Sequence, residues 1–466
     1  MDAATAERPA TALQPQKPVK KRNLGFDLFR FWGVFCIFIG HNYNIMKGVY
    51  SDITNSNPEV LNAPTWWQEF AYPSLWINLV LTGVPLFIMI AGFHSLGKPV
   101  RATDWVDTKR TFVKYVVFFF KWAILGAFLL LVFPRVFDYT YPNNGILNVS
   151  GFAETFELIL ENIIITSTSK GFLFLNAINW TTLALGWAAV LCFIMRPVFQ
   201  SKNIKAIRAI TLIAVVMCLV APTIRDMGTY YLSLYPDSLV FKFMSNFAFF
   251  STTGFRGHNW DNFWFPMLMM GGLYAVDEKM RNRVRSWSWA KIGIISAVLV
   301  VLFVIIGHYY GLISDYAAVT GTAATIYWRC GWMPASIAWF IIADKINVTC
   351  TEESKLGKFI LKYGEDNIGA MAFSWAFGSV LQGTVLSFIY TWMNATITSG
   401  PVMAFAFITY NIAFYAILVI IVHWLRKVPY VGSLFYWDKI KIFDKERELV
   451  LLKAKEKADA KPTQNA

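Results

Sequence analysis

Ten apolar segments follow one another along this chain of 466 residues, and each is long enough to cross a lipid bilayer as an α-helix. Hydrophobic residues make up 56% of the sequence and charged residues only 15%, which excludes an ordinary soluble domain, a disulfide-rich module and a disordered chain. The sequence therefore predicts an all-α polytopic membrane protein with about ten transmembrane helices. The predicted segments are 24–46, 72–97, 115–134, 171–195, 207–224, 259–277, 290–313, 322–344, 367–390 and 402–425.

Lys and Arg residues predict which side of the membrane each loop faces. With the N-terminus in the cytoplasm, 33 of them fall in cytoplasmic segments and 6 in external ones, the bias that multi-pass proteins show. Both termini are therefore predicted to be cytoplasmic, in a multi-pass protein of the cell membrane. The net charge of +13 has the same origin, and no nucleic-acid-binding motif accompanies it. We expect a tail at 1–23, a membrane domain at 24–425 and a second tail at 426–466.

The cysteines predict neither a disulfide framework nor a metal site. None of the five forms a Cys-x-x-Cys pair, and four lie in apolar segments, where cysteine is a small core residue. We therefore expect no metal cofactor. The oligomeric state is not readable from the sequence.

Polar residues in the first apolar segment are the most informative feature of the chain. Asp27, Arg30, His41 and Asn44 interrupt an otherwise apolar helix. Arg30 and His41 are about three helical turns apart and so share a face, and Asp27 is within pairing distance of Arg30. Because ionisable groups inside a membrane are costly, this polar face is predicted to line a functional site. The alternative is a structural polar cluster that joins helices.

The chemistry of this face suits a transfer reaction. His41 is the member of this group that can accept and return a proton near neutral pH. Arg30 can hold an anionic group or a developing oxyanion, and Asp27 can orient Arg30. Asn44 extends the face and is a candidate substrate contact.

Three motifs in order resemble the membrane acyltransferase-3 family. The first is Asp27-x-x-Arg30 followed by His41, which gives Arg-x10-His. The second is Gly-Val-Pro-Leu-Phe-Ile-Met-Ile-Ala-Gly-Phe at 83–93, and the third is Lys-Arg-Thr-Phe-Val-Lys-Tyr at 109–115. The resemblance is clearest over residues 24–115, and no soluble domain accompanies it.

The resemblance implies an integral-membrane O-acyltransferase. Such an enzyme moves an acyl group, usually acetyl, from acyl-coenzyme A to a hydroxyl of an extracytoplasmic or surface glycan. It implies that His41 is the general base and that Lys109, Arg110 and Lys114, in the loop after the second helix, bind the phosphates of coenzyme A. The rule that cytoplasmic loops are basic would also explain those three residues. The identity of the acyl group, and the choice between direct transfer and an acyl-enzyme, stay open.

Two further residues are candidates for substrate contacts. Arg329 lies within the eighth apolar segment, where a lone cation needs a partner or a cavity, so it is predicted to line the pathway through the protein. His258 precedes the sixth segment at its external mouth and is predicted to contact a sugar acceptor. Plain packing within the loop is the alternative for His258.

The depth of the polar face raises a geometric question. If the first helix enters the bilayer near Leu24, Arg30 is about 9 Å along it and His41 about 26 Å, whereas coenzyme A is cytoplasmic. Two arrangements would bring the donor to His41. Either the arm of the donor threads along the polar face, or the helix starts below the membrane plane. We prefer the first, because the polar face supplies a lining.

The rival function is a transporter or flippase for a glycan or an anionic metabolite, with the polar face as its pathway. Such proteins often consist of two related halves with broken helices at matching positions. The sequence has no such pair of halves, which favours the acyltransferase.

Overall fold

The computed structural model is all-α in the residues that it describes, which confirms the predicted fold class for that part of the chain. No strand occurs among those residues. The described residues are 22–39, 82–137, 173–201, 203–246, 264–320, 333–381, 387–397, 400–435 and 443–459.

Helices occupy nearly all of these ranges, and we number them in chain order. One of them, α5, is continuous but contains a π-helical stretch at Val216–Val220, which locally widens the helix. The helices are α1 (24–39), α2 (Gly83–Leu96), α3 (Asp104–Phe137), α4 (Leu173–Phe199), α5 (Ile204–Leu234), α6 (Leu239–Ser245), α7 (Trp264–Val276), α8 (Glu278–Arg285), α9 (Trp289–Thr320), α10 (Met333–Thr349), α11 (Lys355–Tyr363), α12 (Asp366–Leu381), α13 (Ser387–Thr396), α14 (Gly400–Leu425), α15 (Gly432–Phe435) and α16 (Asp444–Asp459).

Two of the described helices are long and apolar enough to cross a membrane by themselves. They are α5 and the apolar part of α14 at Phe405–Leu425. A third span results if α8 and the first part of α9, which meet at a bend of 107°, are counted together. These helices fit a membrane protein. The predicted number of ten spans and the cytoplasmic position of both termini stay predictions.

The start of α3 corrects one prediction. The polar stretch 98–114 was expected to be a loop, but the helix already begins at Asp104, whose Oδ2 accepts a hydrogen bond from the backbone N–H of Arg101 at 2.8 Å. Asp104 and Asp107 lie in the first turn, where carboxylates favour helix formation. Hydropathy detects only the apolar part of such a helix. Lys109, Arg110 and Lys114 therefore lie on α3, on two successive turns that precede its apolar part.

Close packing of α2 against α7 forms the centre of the core. Gly92 and Gly271 lie at this contact, and a Cβ atom on either would overlap the backbone carbonyl of the facing helix, at Leu268 and Met89 respectively. Small residues allow membrane helices to approach in this way. The pair α2–α7 also packs against α1 and α10 through one continuous apolar cluster, so it fixes the position of α1.

A buried carboxylate joins α7, α8 and α10. Asp344 on α10 is fully buried and binds Arg285 of α8 through both oxygens, at 2.7 and 2.8 Å. Its Oδ2 also accepts a hydrogen bond from the hydroxyl of Tyr274 on α7 at 2.7 Å. Hydrogen bonding to Asp344 raises the pKa of the Arg285 guanidinium, which keeps its charge. The cluster anchors the bend between α8 and α9 to the core.

Ion pairs link segments that the charge pattern assigns to the same side of the membrane. Asp104 pairs with Arg196 at 2.5 Å, joining the start of α3 to the end of α4. Arg426, after α14, pairs with Glu365, before α12, at 3.0 Å. In the predicted topology all four residues lie near the cytoplasmic surface.

Candidate active site

Asp27 lies in the first turn of α1 and binds two guanidinium groups. Its Oδ1 accepts a hydrogen bond from Arg30 Nη1 at 2.7 Å, and its Oδ2 accepts one from Arg22 Nε at 3.0 Å. Only 8% of Asp27 is exposed, so the two cations compensate a carboxylate that is largely removed from water. The pairing of Asp27 with Arg30 is the contact that their spacing predicts.

The start of α1 is held in place by another helix. The side-chain Oδ1 of Asn347, at the end of α10, accepts a hydrogen bond from the backbone N–H of Gly25 at 2.7 Å. The first N–H groups of a helix have no partner within it, so Asn347 satisfies one of them from outside. This bond fixes the position of Asp27 and Arg30 relative to the end of α10.

A cavity of about 330 Å³, which we call the central cavity, opens beside the Asp27–Arg30 pair. Residues 27, 30, 34 and 37 of α1 line it, and their spacing of three, four and three residues is that of one helix face. Asp27 and Arg30, the two described members of the predicted polar face, therefore border this cavity. The lining residues are Arg22, Asp27, Arg30, Val34, Ile37, Phe87, Ala91, Lys114, Tyr115, Leu185, Gly364, Glu365, Asn367, Ile368, Met371, Arg426 and Phe435.

A second and more polar space, which we call the basic pocket, has a volume of about 460 Å³. It lies between the end of α2, the first turns of α3 and the last part of α4. Basic residues outnumber acidic ones in its lining, which consists of Ser95, Lys98, Arg101, Asp104, Asp107, Thr108, Arg110, Thr111, Lys114, Ala189, Cys192 and Arg196.

The acidic residues of the basic pocket are already paired. Asp104 binds Arg196 at 2.5 Å, and Asp107 binds Arg447 of α16 at 2.9 Å. The pocket therefore keeps a positive balance that suits an anionic ligand. Lys114 lines both the basic pocket and the central cavity, so the two spaces adjoin at this residue.

The C-terminal helix α16 lies over the first turns of α3. Lys109 Nζ is 2.6 Å from Glu446 Oε1, and Arg110 Nη1 is 3.2 Å from Asp444 Oδ1. The ammonium of Lys109 also lies 5.0 Å from the ring centre of Phe443. Of the three residues predicted to bind coenzyme A, Arg110 lines the basic pocket, Lys114 lines both spaces, and Lys109 lines neither of them. Two of the three are thus paired with the protein's own carboxylates.

Four predicted site residues lie outside the described residues. They are His41 and Asn44, which follow α1, His258, which precedes α7, and Arg329, which precedes α10. Their roles stay predictions. His41 is two residues beyond the last described residue of α1.

Comparison with known proteins identifies the family. A family model described as an acyltransferase domain matches residues 23–349, which is more than half of the chain. The chain belongs to the acyltransferase-3 family. Comparisons with curated proteins and with solved structures find no match. The protein is accordingly an acyltransferase of the general kind, and its apolar helices and its family agree on a membrane protein.

The candidate site extends beyond the matched region. Asp27, Arg30 and the whole basic pocket lie within residues 23–349, but the central cavity is closed by Asn367 and Met371 of α12 and by Arg426. Arg426 binds Asp366 at 2.5 Å and thereby ties the end of α14 to the start of α12.

Sequence reasoning missed several lining residues of this acyltransferase. Arg22 and Arg426 follow the general excess of cytoplasmic charge, so no pattern distinguishes them from other tail residues. Asn367 begins an apolar segment, and a single amide there carries no signal by itself. Tyr115 is the last residue of the third motif, and its adjacency to Lys114 is the hint that this motif offers.

Proposed function

We propose that this acyltransferase transfers an acyl group, most simply acetyl, from acyl-coenzyme A to a hydroxyl of an extracytoplasmic or surface glycan. The observation that carries the proposal is the junction at Lys114 between the basic pocket and the central cavity. Acyl-coenzyme A has an anionic nucleotide end and a long neutral arm that ends in a thioester. A polar pocket that opens into a narrower cavity suits a molecule of this form.

The basic pocket suits the nucleotide end of the donor. Guanidinium and ammonium groups bind phosphates through charge-assisted hydrogen bonds, and Arg110 and Lys114 are the predicted pair that lines this pocket. Lys98 and Arg101 line it as well. A volume of about 460 Å³ falls within the range of small-molecule sites.

The central cavity suits the arm and the reacting end. Its face on α1 follows positions 27, 30, 34 and 37, and position 41 continues the same spacing. If α1 continues with helical geometry, His41 follows Arg30 on this face about three turns further along. The arm would then lead from Lys114 past Arg30 towards His41. A donor arm that threads along the polar face in this way would explain how a cytoplasmic donor reaches His41, far along the helix.

The proposed reaction is a direct transfer with His41 as general base. His41 takes the proton of the acceptor hydroxyl while the hydroxyl oxygen attacks the carbonyl carbon of the thioester. An ester C–O bond forms, the C–S bond breaks, and the imidazolium returns the proton to the departing thiolate. Arg30 stabilises negative charge on the donor or the developing oxyanion, and Asp27 orients Arg30. An acyl-enzyme formed before acceptor binding is the alternative route.

The acceptor side of the proposal rests on the family resemblance and on the predicted topology. A donor bound from the cytoplasm and an acceptor bound from outside require a passage through the membrane domain. Asn44, Arg329 and His258 are the proposed acceptor contacts along this passage. No metal ion takes part in the proposed reaction.

The test uses the purified full-length protein in lipid nanodiscs with acetyl-coenzyme A and polysaccharide acceptors. We expect release of free thiol together with an acetyl ester on the glycan, detected by mass spectrometry. Mass spectrometry of surface glycans from cells with and without the protein identifies the natural acceptor as the one that loses an acyl mass. If no acceptor elicits thiol release and liposomes with the protein transport a glycan or an anion, the transporter is the correct function.

A further inference from the structure

Asn367 has an unusual environment for a buried side chain. It lies in the first turn of α12, is 1% exposed and lines the central cavity. Its Oδ1 accepts a hydrogen bond from the hydroxyl of Tyr415 on α14. Its Nδ2 is buried and has no hydrogen-bond partner in the part of the chain that the structure describes.

The tyrosine beside this amide is held by packing. Tyr415 is buried, and its ring lies 5.6 Å from the rings of both Phe35 and Phe38 on α1. Its hydroxyl therefore stays beside the amide of Asn367, and because it donates to Oδ1, Nδ2 is the amide atom without a partner among the described residues. Side-chain amides can donate two hydrogen bonds through this nitrogen.

An unsatisfied buried donor destabilises a fold, so such groups are uncommon and each calls for an explanation. Asn411 on α14 provides the contrast within this protein, because it is equally buried but its Nδ2 donates to the backbone carbonyl of Phe407 at 2.7 Å. Asn411 does not line the central cavity. Asn347 Nδ2 is a second buried amide nitrogen without a partner among the described residues, but Asn347 does not line the central cavity. Of these two amides, Asn367 is the one that borders the space where a ligand can enter.

We propose that Asn367 is a positioning residue that donates a hydrogen bond from Nδ2 to an amide carbonyl of the pantetheine arm of the donor. This inference rests on the proposed function. The arm is uncharged and carries two secondary amides, whose carbonyl oxygens are acceptors. A neutral donor suits such a carbonyl, whereas phosphates suit the cations of the basic pocket.

The charges around the central cavity agree with this assignment of the arm to Asn367 and of the phosphates to the basic pocket. Asp27 is engaged by Arg22 and Arg30, and Glu365 is engaged by Arg426, so the ionic groups near Asn367 hold one another. Asn367 is then a neutral hydrogen-bond donor in the lining of the cavity that the arm would enter beyond Lys114. It lies outside the family-matched residues, so it belongs to the part of the site that α12 adds.

The test compares two ligands in the purified full-length protein. Coenzyme A carries the arm, and adenosine 3′,5′-bisphosphate is its nucleotide half without the arm. We expect Asn367→Ala to weaken binding of coenzyme A about three- to tenfold and to leave binding of the nucleotide unchanged. Asn411→Ala is the matched control, and it should leave the ratio of the two affinities as in the parent.

A second variant keeps the experiment decisive if Asn367→Ala fails to fold. Asn367→Asp retains an oxygen for Tyr415 and the shape of the side chain, but it replaces the donor with an acceptor. We expect it to weaken coenzyme A binding at least as much as the alanine variant does. Equal loss of both ligands in either variant, or no loss of either, would overturn the inference.

Three further outcomes are informative, and the last two separate this inference from the proposed function. If the variants lose affinity for acetyl-coenzyme A but keep it for coenzyme A, the contact is with the thioester and the assignment to the arm is wrong. If the parent protein binds neither coenzyme A nor the nucleotide, the proposed function fails and this inference fails with it. If the parent transfers acetyl groups and the variants keep the parent ratio of affinities, only the inference about Asn367 is overturned.

Discussion

Lys109 Nζ lies 2.6 Å from Glu446 Oε1, and this ion pair joins the first turns of α3 to the C-terminal helix α16. Beside it, Arg110 pairs with Asp444 at 3.2 Å. Two cations predicted to bind donor phosphates are thus held by carboxylates of the same chain. Because a carboxylate and a phosphate seek the same groups on Arg and Lys, the tail and the donor would compete for them.

Neutralising these carboxylates should strengthen donor binding. We expect Asp444→Asn with Glu446→Gln to raise the affinity for coenzyme A by up to about fivefold, because partly exposed ion pairs contribute roughly 0–1 kcal/mol each. The thermal stability should change little for the same reason. Isothermal titration with coenzyme A measures the affinity.

Glu448→Gln is the control for this experiment. Glu448 lies on the same helix and is exposed, and no ion pair with it occurs among the described residues. It should leave donor affinity unchanged. A fall in affinity in the Asp444–Glu446 double variant would mean that α16 supports the basic pocket and does not compete for it.

Removing the cations of the basic pocket should have the opposite effect. We expect Arg110→Gln with Lys114→Gln to weaken coenzyme A binding at least about tenfold and to reduce its dependence on salt, because charge-assisted hydrogen bonds to phosphate are lost. Binding at several ionic strengths measures both effects. The control is Lys355→Gln with Lys358→Gln, since these exposed lysines of α11 line neither space. Unchanged affinity in the Arg110–Lys114 variant would mean that the basic motif only marks the side of the membrane on which it lies.

The buried cluster around Asp344 should dominate the stability of the α7–α8–α10 contact. Asp344→Ala leaves the Arg285 guanidinium and the Tyr274 hydroxyl without their shared acceptor, and we expect a loss of about 3–5 kcal/mol in the free energy of unfolding. Thermal unfolding of the detergent-solubilised protein measures it. Glu278→Gln removes the exposed pair with Arg281 at 3.7 Å and should cost less than about 0.5 kcal/mol. Similar effects of the two changes would contradict the anchoring role of Asp344.

Much of the fold and part of the site follow from local sequence patterns. Long apolar runs predict helices because a membrane leaves the backbone few alternatives, and helices occur in the described parts of all ten predicted segments. The shared face of Asp27 and Arg30 follows from helical periodicity alone. Both inferences need only neighbouring residues.

Local sequence patterns do not predict contacts between segments that are distant in the chain. Lys109 and Glu446 are 337 positions apart, and their pairing depends on how α16 folds back over α3. The role of Asn367 depends on which face of α12 meets the cavity and on the hydroxyl of Tyr415. The polar start of α3 was missed because hydropathy reports only the length of the apolar stretch, whereas the helix begins at Asp104, within the polar stretch.

The Asp27–Arg30 pair should affect both donor binding and rate. Arg30→Ala should lower donor affinity and acyl transfer together, and Arg30→Lys should rescue poorly because an ammonium cannot reproduce the planar fork of a guanidinium. Asp27→Asn should have an intermediate effect through a misoriented Arg30, since Asp27 Oδ1 holds Arg30 Nη1 at 2.7 Å. Steady-state kinetics and donor titrations measure the two quantities. Full activity of Arg30→Lys would show that only the charge matters.

His41 should be required for the chemical step and not for donor binding. A sugar hydroxyl is a poor nucleophile, and a positioned base typically accelerates its reaction about 10²–10⁴-fold. We expect His41→Ala to reduce single-turnover acyl transfer by about this factor while expression and coenzyme A affinity stay near the parent values, because the ring acts in the transition state. Arg30→Ala, by contrast, should lose both. If His41→Ala transfers acyl groups at close to the parent rate, His41 is not the base, and the α1 face that carries Asp27 and Arg30 is structural or a conduit.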